Sequence, residues 1–386
     1  MRSLVVTIWL LSFVGAAFAA SAAPSALAPG VDADVYKNFN IFVEVLDLVR
    51  AYYLEPVDVD LLVAGAINGM VLRIDRYGYY LPPEGLPDVD RSAGVGLLYG
   101  FRGGHLAVIR TIPGSPADGE DIETGDVVFT IDGSYPQFLT IPAVERLLHK
   151  PAGEALTLQL LRDGENKVHD VTLVAGLLPM ETACDVKTED GIRIVAVRDL
   201  DSTQSAEAIA AAASATLDGL VLDLRGCSRG GEENGFAMAD LFLPDAQIKG
   251  SLMGREDKVL EPLRGSDGRQ AADFPMVVLV DETTYGGAEV LAAALQAAGK
   301  AVVIGRGTYG RGIKQTRTPL DVGGAVVLTS GLYAFSDHPL LDKGITPDVA
   351  DTDDLRVELR ETAGDTPDPL LTRALIEVRR KHAATP

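Results

Sequence analysis

The chain has 386 residues, 47% of them hydrophobic, with 40 glycines, 21 prolines and a formal net charge of −21. This length allows two or three domains with real cores, and the glycine and proline content points to many turns rather than a helical bundle. The negative charge excludes nucleic acid and anionic membrane surfaces as partners, and solubility is its plain reading.

The N-terminus reads as an export signal over residues 1–19. Arg2 is the positive end, residues 4–16 are an apolar run, and Ala17-Phe18-Ala19 offers small residues to a signal peptidase. The run is short for a membrane span, with an uncleaved anchor as the alternative. The periplasm or cell envelope is the expected location. Residues 20–34 form an Ala/Pro/Ser-rich flexible leader. A helical region over 35–90 follows. Phe39, Phe42, Val45, Leu46 and Val49 recur at helical steps, Val57-Asp58-Val59-Asp60 interrupts, and a second helix runs through Leu62, Ala66, Met70 and Val71. Residues 76–83 are aromatic and turn-like.

Residues 91–176 read as a compact β-rich module. Val95, Leu97, Leu106 and Val108 alternate as strands, and Pro113-Gly114-Ser115-Pro116-Ala117 predicts a turn leading to a short helix. Ile131-Asp132-Gly133 is a tight turn after a strand. Thr140 is placed to cap a helix that carries Pro142 in its first turn and Val144, Leu147 and Leu148 on its buried face. Leu156, Leu158 and Leu160 alternate as a strand, and Asp163-Gly164 turns into another over 168–173.

From 177 to 350 strand and helix alternate. Strands are expected at 192–197, 220–224, 276–280 and 301–304, helices at 205–215, 234–243 and 289–298, and a last strand or hairpin at 326–335. That order predicts an α/β layer with a largely parallel sheet. An acidic linker and a basic-ended helix fill 351–386. The fold class is therefore multidomain α+β and α/β. Cys184 and Cys227 are the only cysteines, and their pairing is left open. His105, His149, His169, His338 and His382 show no metal-ligand spacing, so neither metal nor cofactor is expected.

Several segments together resemble the C-terminal processing peptidases, serine peptidases of family S41 that carry a PDZ module. Leu220-Val221-Leu222-Asp223-Leu224-Arg225 with Gly230-Gly231 resembles the family's core strand and glycine turn. Val278-Leu279-Val280-Asp281 running to Glu289-Val290-Leu291 resembles its nucleophile segment, and Thr308-Tyr309-Gly310-Arg311-Gly312 with Gln315 its lysine segment. Lys343-Gly344-Ile345-Thr346-Pro347-Asp348-Val349 resembles the closing motif. Tyr80-Leu81-Pro82-Pro83 and Gly94-Val95-Gly96-Leu97 resemble the turn before the PDZ module and its carboxylate loop.

The resemblance implies a serine nucleophile, a lysine base that must be neutral to accept its proton, and backbone amides for the oxyanion, in the region of Gly230 and Gly231. Carried over, the nucleophile falls on Gly286 and the base on Arg311, 25 positions apart (311 − 286), the family's interval without a gap. Glycine cannot attack, and a guanidinium does not deprotonate in a protein. The chain is therefore expected to be a pseudoprotease. Thr284 as a displaced nucleophile and Lys314 as its base are the alternative for an active enzyme, disfavoured because an extended strand turns Lys314 away from the face shared by Arg311, Ile313 and Gln315. Cys227 and Ser228 are expected to be small loop residues.

Two binding roles remain. Gly286 and Gly287 at a helix start could hold a peptide carboxylate with Arg311; the alternative is a plain helix start, with Arg311 paired to an acid such as Glu289. In the PDZ-like module, the amides of Gly94, Val95, Gly96 and Leu97 are expected to cradle a terminal carboxylate while the peptide adds a strand, with Val144 and Leu148 as pocket or core residues. The expected partners are peptide or protein C-termini, an active paralogue, or an envelope adaptor.

Overall fold

The computed structural model describes residues 33–162, 164–165, 167–244, 248–265, 274–353, 355–356 and 367–384. The expected export signal and all but the last two residues of the leader lie outside the described residues, as does much of the acidic linker. The chain divides into two compact units, up to Leu62 and from Val63 onward.

Helix α1 spans Ala33–Tyr52 and α2 spans Val59–Leu72. The carboxylate of Asp58 accepts the amides of Asp60 and Leu61, which gives α2 its start. The apolar residues Phe39, Phe42 and Val45 of α1 are exposed. The aromatic segment that follows contains a short strand, β1 (Tyr79–Leu81), where a turn was expected.

The β-rich module holds β2 (Ala93–Gly94), β3 (Leu97–Arg102), β4 (His105–Thr111), β5 (Val127–Ile131), α3 (Ile141–Leu148), β6 (Ala155–Leu161), β7 (Val168–Val174) and β8 (Gly176–Leu177). Its antiparallel sheet runs β3-β4-β5-β6-β7, so β3 is an edge strand, and β2 pairs separately with β8. Alternation of Leu156, Leu158 and Leu160 puts all three into one core with Val95, Leu106, Val144 and Leu148. Two sequence expectations fail here. No helix follows Pro113–Ala117, where the chain makes consecutive turns instead. Thr140 does sit at the N-cap of α3, but its side chain makes no capping bond.

The remaining elements are β9 (Cys184–Glu189), β10 (Ile192–Val197), α4 (Thr203–Ala213), β11 (Gly219–Asp223), α5 (Glu232–Asp240), β12 (Gly250–Met253), β13 (Val259–Pro262), β14 (Met276–Val280), α6 (Gly287–Ala297), β15 (Ala301–Gly305), β16 (Ile313–Pro319), β17 (Ala325–Phe335), β18 (His338–Pro339), β19 (Val349–Ala350) and α7 (Pro369–Ala384). One sheet runs β19-β15-β14-β11-β10-β9, parallel except for β9. Met276 to Val280 are wholly buried, as a strand covered on both faces must be. A second sheet gathers β1, β12, β13, β16 and β18 around the long β17. Helices α5 and α6 pack so closely that a Cβ on Gly235 would lie 1.9 Å from the Gly287 carbonyl oxygen.

Candidate functional site

Parallel sheets present their loops at the carboxyl ends of the strands, where ligands bind. Here the turn after β11 (224–231), the turn after β14 (281–286) and the segment after β15 (306–312) converge. The amide of Tyr285 donates to the Cys227 carbonyl (3.0 Å) and that of Tyr309 to the Thr284 carbonyl (3.1 Å), which ties the three together. The turns also hold each other through Asp281, whose carboxylate accepts from the amides of Gly226 (3.2 Å) and Thr283 (3.0 Å).

Gly286 starts α6 with φ 59° and ψ −116°. An L side chain is strained in that conformation, and glycine is not. A Cβ built there lies 3.3 Å from the Gly230 carbonyl oxygen, 3.5 Å from Arg311 Nη1 and 3.8 Å from Glu232 Oε1. The two positions carried over as nucleophile and base thus face each other, and no hydroxyl stands between them.

Arg311 is packed rather than poised. Its guanidinium lies 5.3 Å from the Tyr285 ring centre and 5.7 Å from that of Tyr77. Nη1 is 3.4 Å from Glu232 Oε1, and that carboxylate is only 8% exposed. Burial pushes the Glu232 carboxyl up, with Arg311 working against it. Burial acts to lower Arg311, but Tyr285 and Glu232 hold it above its ordinary value. Tyr285 is itself pushed up to about 12, chiefly by burial. The acid paired with the Arg311 side chain is therefore Glu232, not the expected Glu289. The sequence did place Glu232 directly after Gly230-Gly231, but periodicity says nothing about a side chain that crosses from one helix start to another turn.

Glu289 does a different job. Fully buried in the first turn of α6, it accepts from the amides of Gly286 (3.0 Å), Gly310 (2.6 Å) and Arg311 (2.9 Å) and from the Thr308 hydroxyl (2.5 Å). It fastens the segment carrying Arg311 to the helix carrying Gly286. The expected anion cradle at Gly286-Gly287 is not supported, because both amides are taken: Gly286 by Glu289, and Gly287 by the Gly230 carbonyl at 3.2 Å. In the oxyanion region the Gly231 amide is taken by Asp201 Oδ1 at 3.1 Å, whereas the Gly230 amide has no partner among the described residues.

The alternative nucleophiles are no better placed. Thr284 is fully buried; its hydroxyl donates to the Leu224 carbonyl (3.0 Å) and accepts the Asp281 amide (3.0 Å). Lys314 lies 3.7 Å from Glu233 and 3.9 Å from Glu261. A register shift between Lys314 and Gln315 interrupts the alternation on which Arg311, Ile313 and Gln315 were expected to share a face. Gln315 donates to the Tyr77 carbonyl at 2.8 Å. Cys227 is a buried free thiol pushed up to about 12 by burial, so it stays protonated, and Cys184 is also free and buried. Ser228 accepts a hydrogen bond from Arg110 Nε at 3.1 Å. Beside Arg311 a cleft of about 340 Å³ is lined by Glu232, Asn234, Lys314, Gln315 and Tyr333.

The other expected binding residues lie in the β-rich module. Val95, Val144 and Leu148 are core, at 0, 0 and 1% exposure. Gly94, Val95 and Gly96 lead into β3, whose free edge borders a groove of about 520 Å³ lined by Leu97, Tyr99, Ile112 and Leu148. Gly96 has φ 78°, and a Cβ there would strike Ser115 at 2.2 Å, so only glycine fits. The Val95 amide is spent on the Leu148 carbonyl (3.1 Å), whereas the Gly96 amide has no partner among the described residues. Among those residues no acid, histidine or cysteine cluster could hold a metal ion.

Residues 191–351 match the family model described as Peptidase family S41. The carboxy-terminal-processing protease of Bartonella bacilliformis is 28% identical over 329 residues, covering 82% of this chain and 75% of that protein. The carboxy-terminal processing protease CtpA of Bacillus subtilis is 28% identical over 313 residues, covering 78% and 66% respectively. The match thus spans between two thirds and three quarters of these relatives. Among solved structures, the photosystem II D1 C-terminal processing protease superposes with a TM-score of 0.66 at 22% identity, over 86% of this chain and 98% of that one. That likeness is one of fold.

Proposed function

The chain belongs to the C-terminal processing peptidases of family S41, and from that premise we propose that it is a non-catalytic member that captures peptide C-termini in a PDZ-type groove. One observation carries the reading. Where the family's serine and lysine would meet, Gly286 faces an Arg311 guanidinium already neutralised by Glu232 and clasped by Tyr77 and Tyr285. Acyl transfer needs a nucleophile and a neutral base within hydrogen-bond reach. This pair supplies neither, and the amides of Gly287 and Gly231 are turned to internal acceptors.

The binding half of the proposal rests on the module at 91–176, between a helical region at 35–90 and the peptidase-like core at 177–350. The free edge of β3 offers main-chain groups to an added strand, and the loop ending at Gly96 offers an uncommitted amide to a carboxylate. Leu97 and Leu148 floor the pocket for an apolar last side chain. The protein would act in the cell envelope after export, on protein tails or on a peptidase or adaptor that presents one. No helix among the described residues is long and apolar enough to cross a membrane.

The test is to incubate the protein with a fluorescein-labelled peptide ending in valine, and with the same peptide amidated. The free-acid peptide is expected to bind and to be recovered intact by mass spectrometry, and the amide to bind at least tenfold more weakly. Cleavage that is lost on Thr284→Val would instead show a displaced nucleophile and end the non-catalytic reading.

A further inference from the structure

The groove beside β3 is closed at its carboxylate end by His149, which caps the C-terminus of α3. Its position is fixed twice. Nδ1 lies 3.0 Å from the Glu145 carbonyl oxygen, so Nδ1 carries a proton and donates there, and Nε2 has no hydrogen-bond partner among the described residues. The ring lies against the glycine loop through Cδ2, which is 3.4 Å from a Cβ built on Gly94, and the His149 Cα lies at 3.1 Å. The same helix end holds the loop through the Leu148 carbonyl and the Val95 amide. Imidazole, uncommitted Gly96 amide and apolar floor therefore line one cavity.

We propose that His149 is the charge partner of the peptide's terminal carboxylate, so that the groove holds C-terminal peptides more tightly once the imidazole is protonated. This rests on the reading of the groove as a peptide site and adds the residue that governs its affinity. The other cation at this end, Arg91, is already spent: its Nε donates to Glu145 Oε1 at 2.6 Å. The remaining charges around His149 are Asp90 before β2, and Asp199, Asp201 and Arg229 across the groove. Asp90 is held below the usual carboxylate range by Ser92, so it stays ionised throughout the window in which an imidazole titrates. Asp201 is occupied by the Gly231 amide and the Asn234 side chain. None of these groups has an ordinary midpoint between pH 5.5 and 7.5, so a change of affinity in that window reports the imidazole, whose ordinary value is about 6.5.

The experiment measures fluorescence anisotropy of the full chain with a tetramethylrhodamine-labelled, histidine-free peptide ending in valine, at pH 7.5 and 5.5. A charge-assisted contact at a half-buried site predicts binding about fivefold tighter at pH 5.5. His149→Gln is expected to bind weakly with no pH dependence, and His149→Arg to bind tightly at both values, each with the melting temperature of the parent. The amidated peptide is expected to show no pH dependence. A parent whose affinity does not change with pH, or a His149→Gln variant that keeps the parent's pH dependence, would overturn the assignment while leaving the groove reading intact. Absence of binding by any variant at either pH would overturn both.

Discussion

Restoring the two missing groups is expected not to be enough, and the reason is Glu232. Gly286→Ser is sterically tolerable, since a Cβ meets nothing nearer than 3.3 Å, although φ 59° costs on the order of 1–3 kcal/mol for an L residue. Arg311→Lys puts an ammonium near a carboxylate that stands 3.4 Å from the present guanidinium. Two unit charges about 4 Å apart at an effective dielectric of about 20 attract by roughly 4 kcal/mol, which would raise the lysine by about three pK units. Halving this for water in the open cleft leaves roughly 1.5 units, a loss of about thirtyfold in neutral base. The assay is covalent labelling by a fluorophosphonate, read by intact mass, because it reports an activated hydroxyl directly. The parent and Gly286→Ser alone should not label, the Gly286→Ser/Arg311→Lys pair should label slowly, and adding Glu232→Gln should speed labelling at least tenfold. Labelling of the parent, or equal rates with and without Glu232→Gln, would refute the reasoning.

Other expectations follow from the same contacts. Glu289→Gln keeps the shape but turns an amide NH₂ toward two of the four donors, and should cost about 2–4 kcal/mol, seen as a fall of about 5–10 °C in melting temperature. Gly235→Ala drives a methyl to 1.9 Å from the Gly287 carbonyl oxygen and should separate α5 from α6, giving a protein that is insoluble or melts far lower. Thr284→Val should lower stability by about 1–2 kcal/mol in urea unfolding without changing peptide binding, because its hydroxyl serves the Leu224 carbonyl and the amide and carboxylate of Asp281. Asp351 is held below the ordinary carboxylate value by Arg356 and Arg306. Its contribution is thus complete above the unfolded value of about 3.9 and lost as pH falls through the lower folded value, so Asp351→Asn should destabilise at pH 7, and urea melts should show that cost shrinking as pH is lowered below about 3.9.

How much of this could be read in the sequence depends on whether the signal was periodic. The parallel sheet was legible because Leu220 to Leu224, mostly apolar but for Asp223, and the wholly apolar Met276 to Val280 are runs bounded by turns, and such runs in α/β order have few other solutions. Strands β9, β12 and β13 gave no such signal. Five of the six residues of β9 are exposed, so burial never wrote a pattern into it. The helix expected after Pro116 failed for a related reason: the amide of its buried Ala117 donates a hydrogen bond to the Val95 carbonyl, a tertiary contact with no local signature. At the site, linear spacing located Gly286 and Arg311, but partners that come from other turns were invisible. Glu232 and Tyr77 approach Arg311 across 79 (311 − 232) and 234 (311 − 77) positions of chain, and no local rule links them.

The way the site has changed argues for replacement rather than decay. A family scaffold that had lost only its nucleophile would keep a base able to neutralise. Instead the substitutions answer each other. The permanently charged Arg311 is matched by the buried carboxylate of Glu232, which would be costly to bury alone and would in turn hinder any lysine. The guanidinium fills the space between Tyr77 and Tyr285, and β3 of the module packs on the same group, since a Cβ on Gly100 would lie 2.9 Å from the Tyr285 ring and 3.0 Å from that of Tyr309. Arg311, the position carried over as the base, thereby belongs to the seam between the edge strand β3 and the core. Reverting Arg311 alone should therefore loosen that seam before it restores any chemistry, and the loss would show as weaker binding of the valine-ended peptide together with a lower melting temperature. Unchanged binding and stability in Arg311→Lys would mean that the guanidinium is a bystander and that the site has merely lapsed.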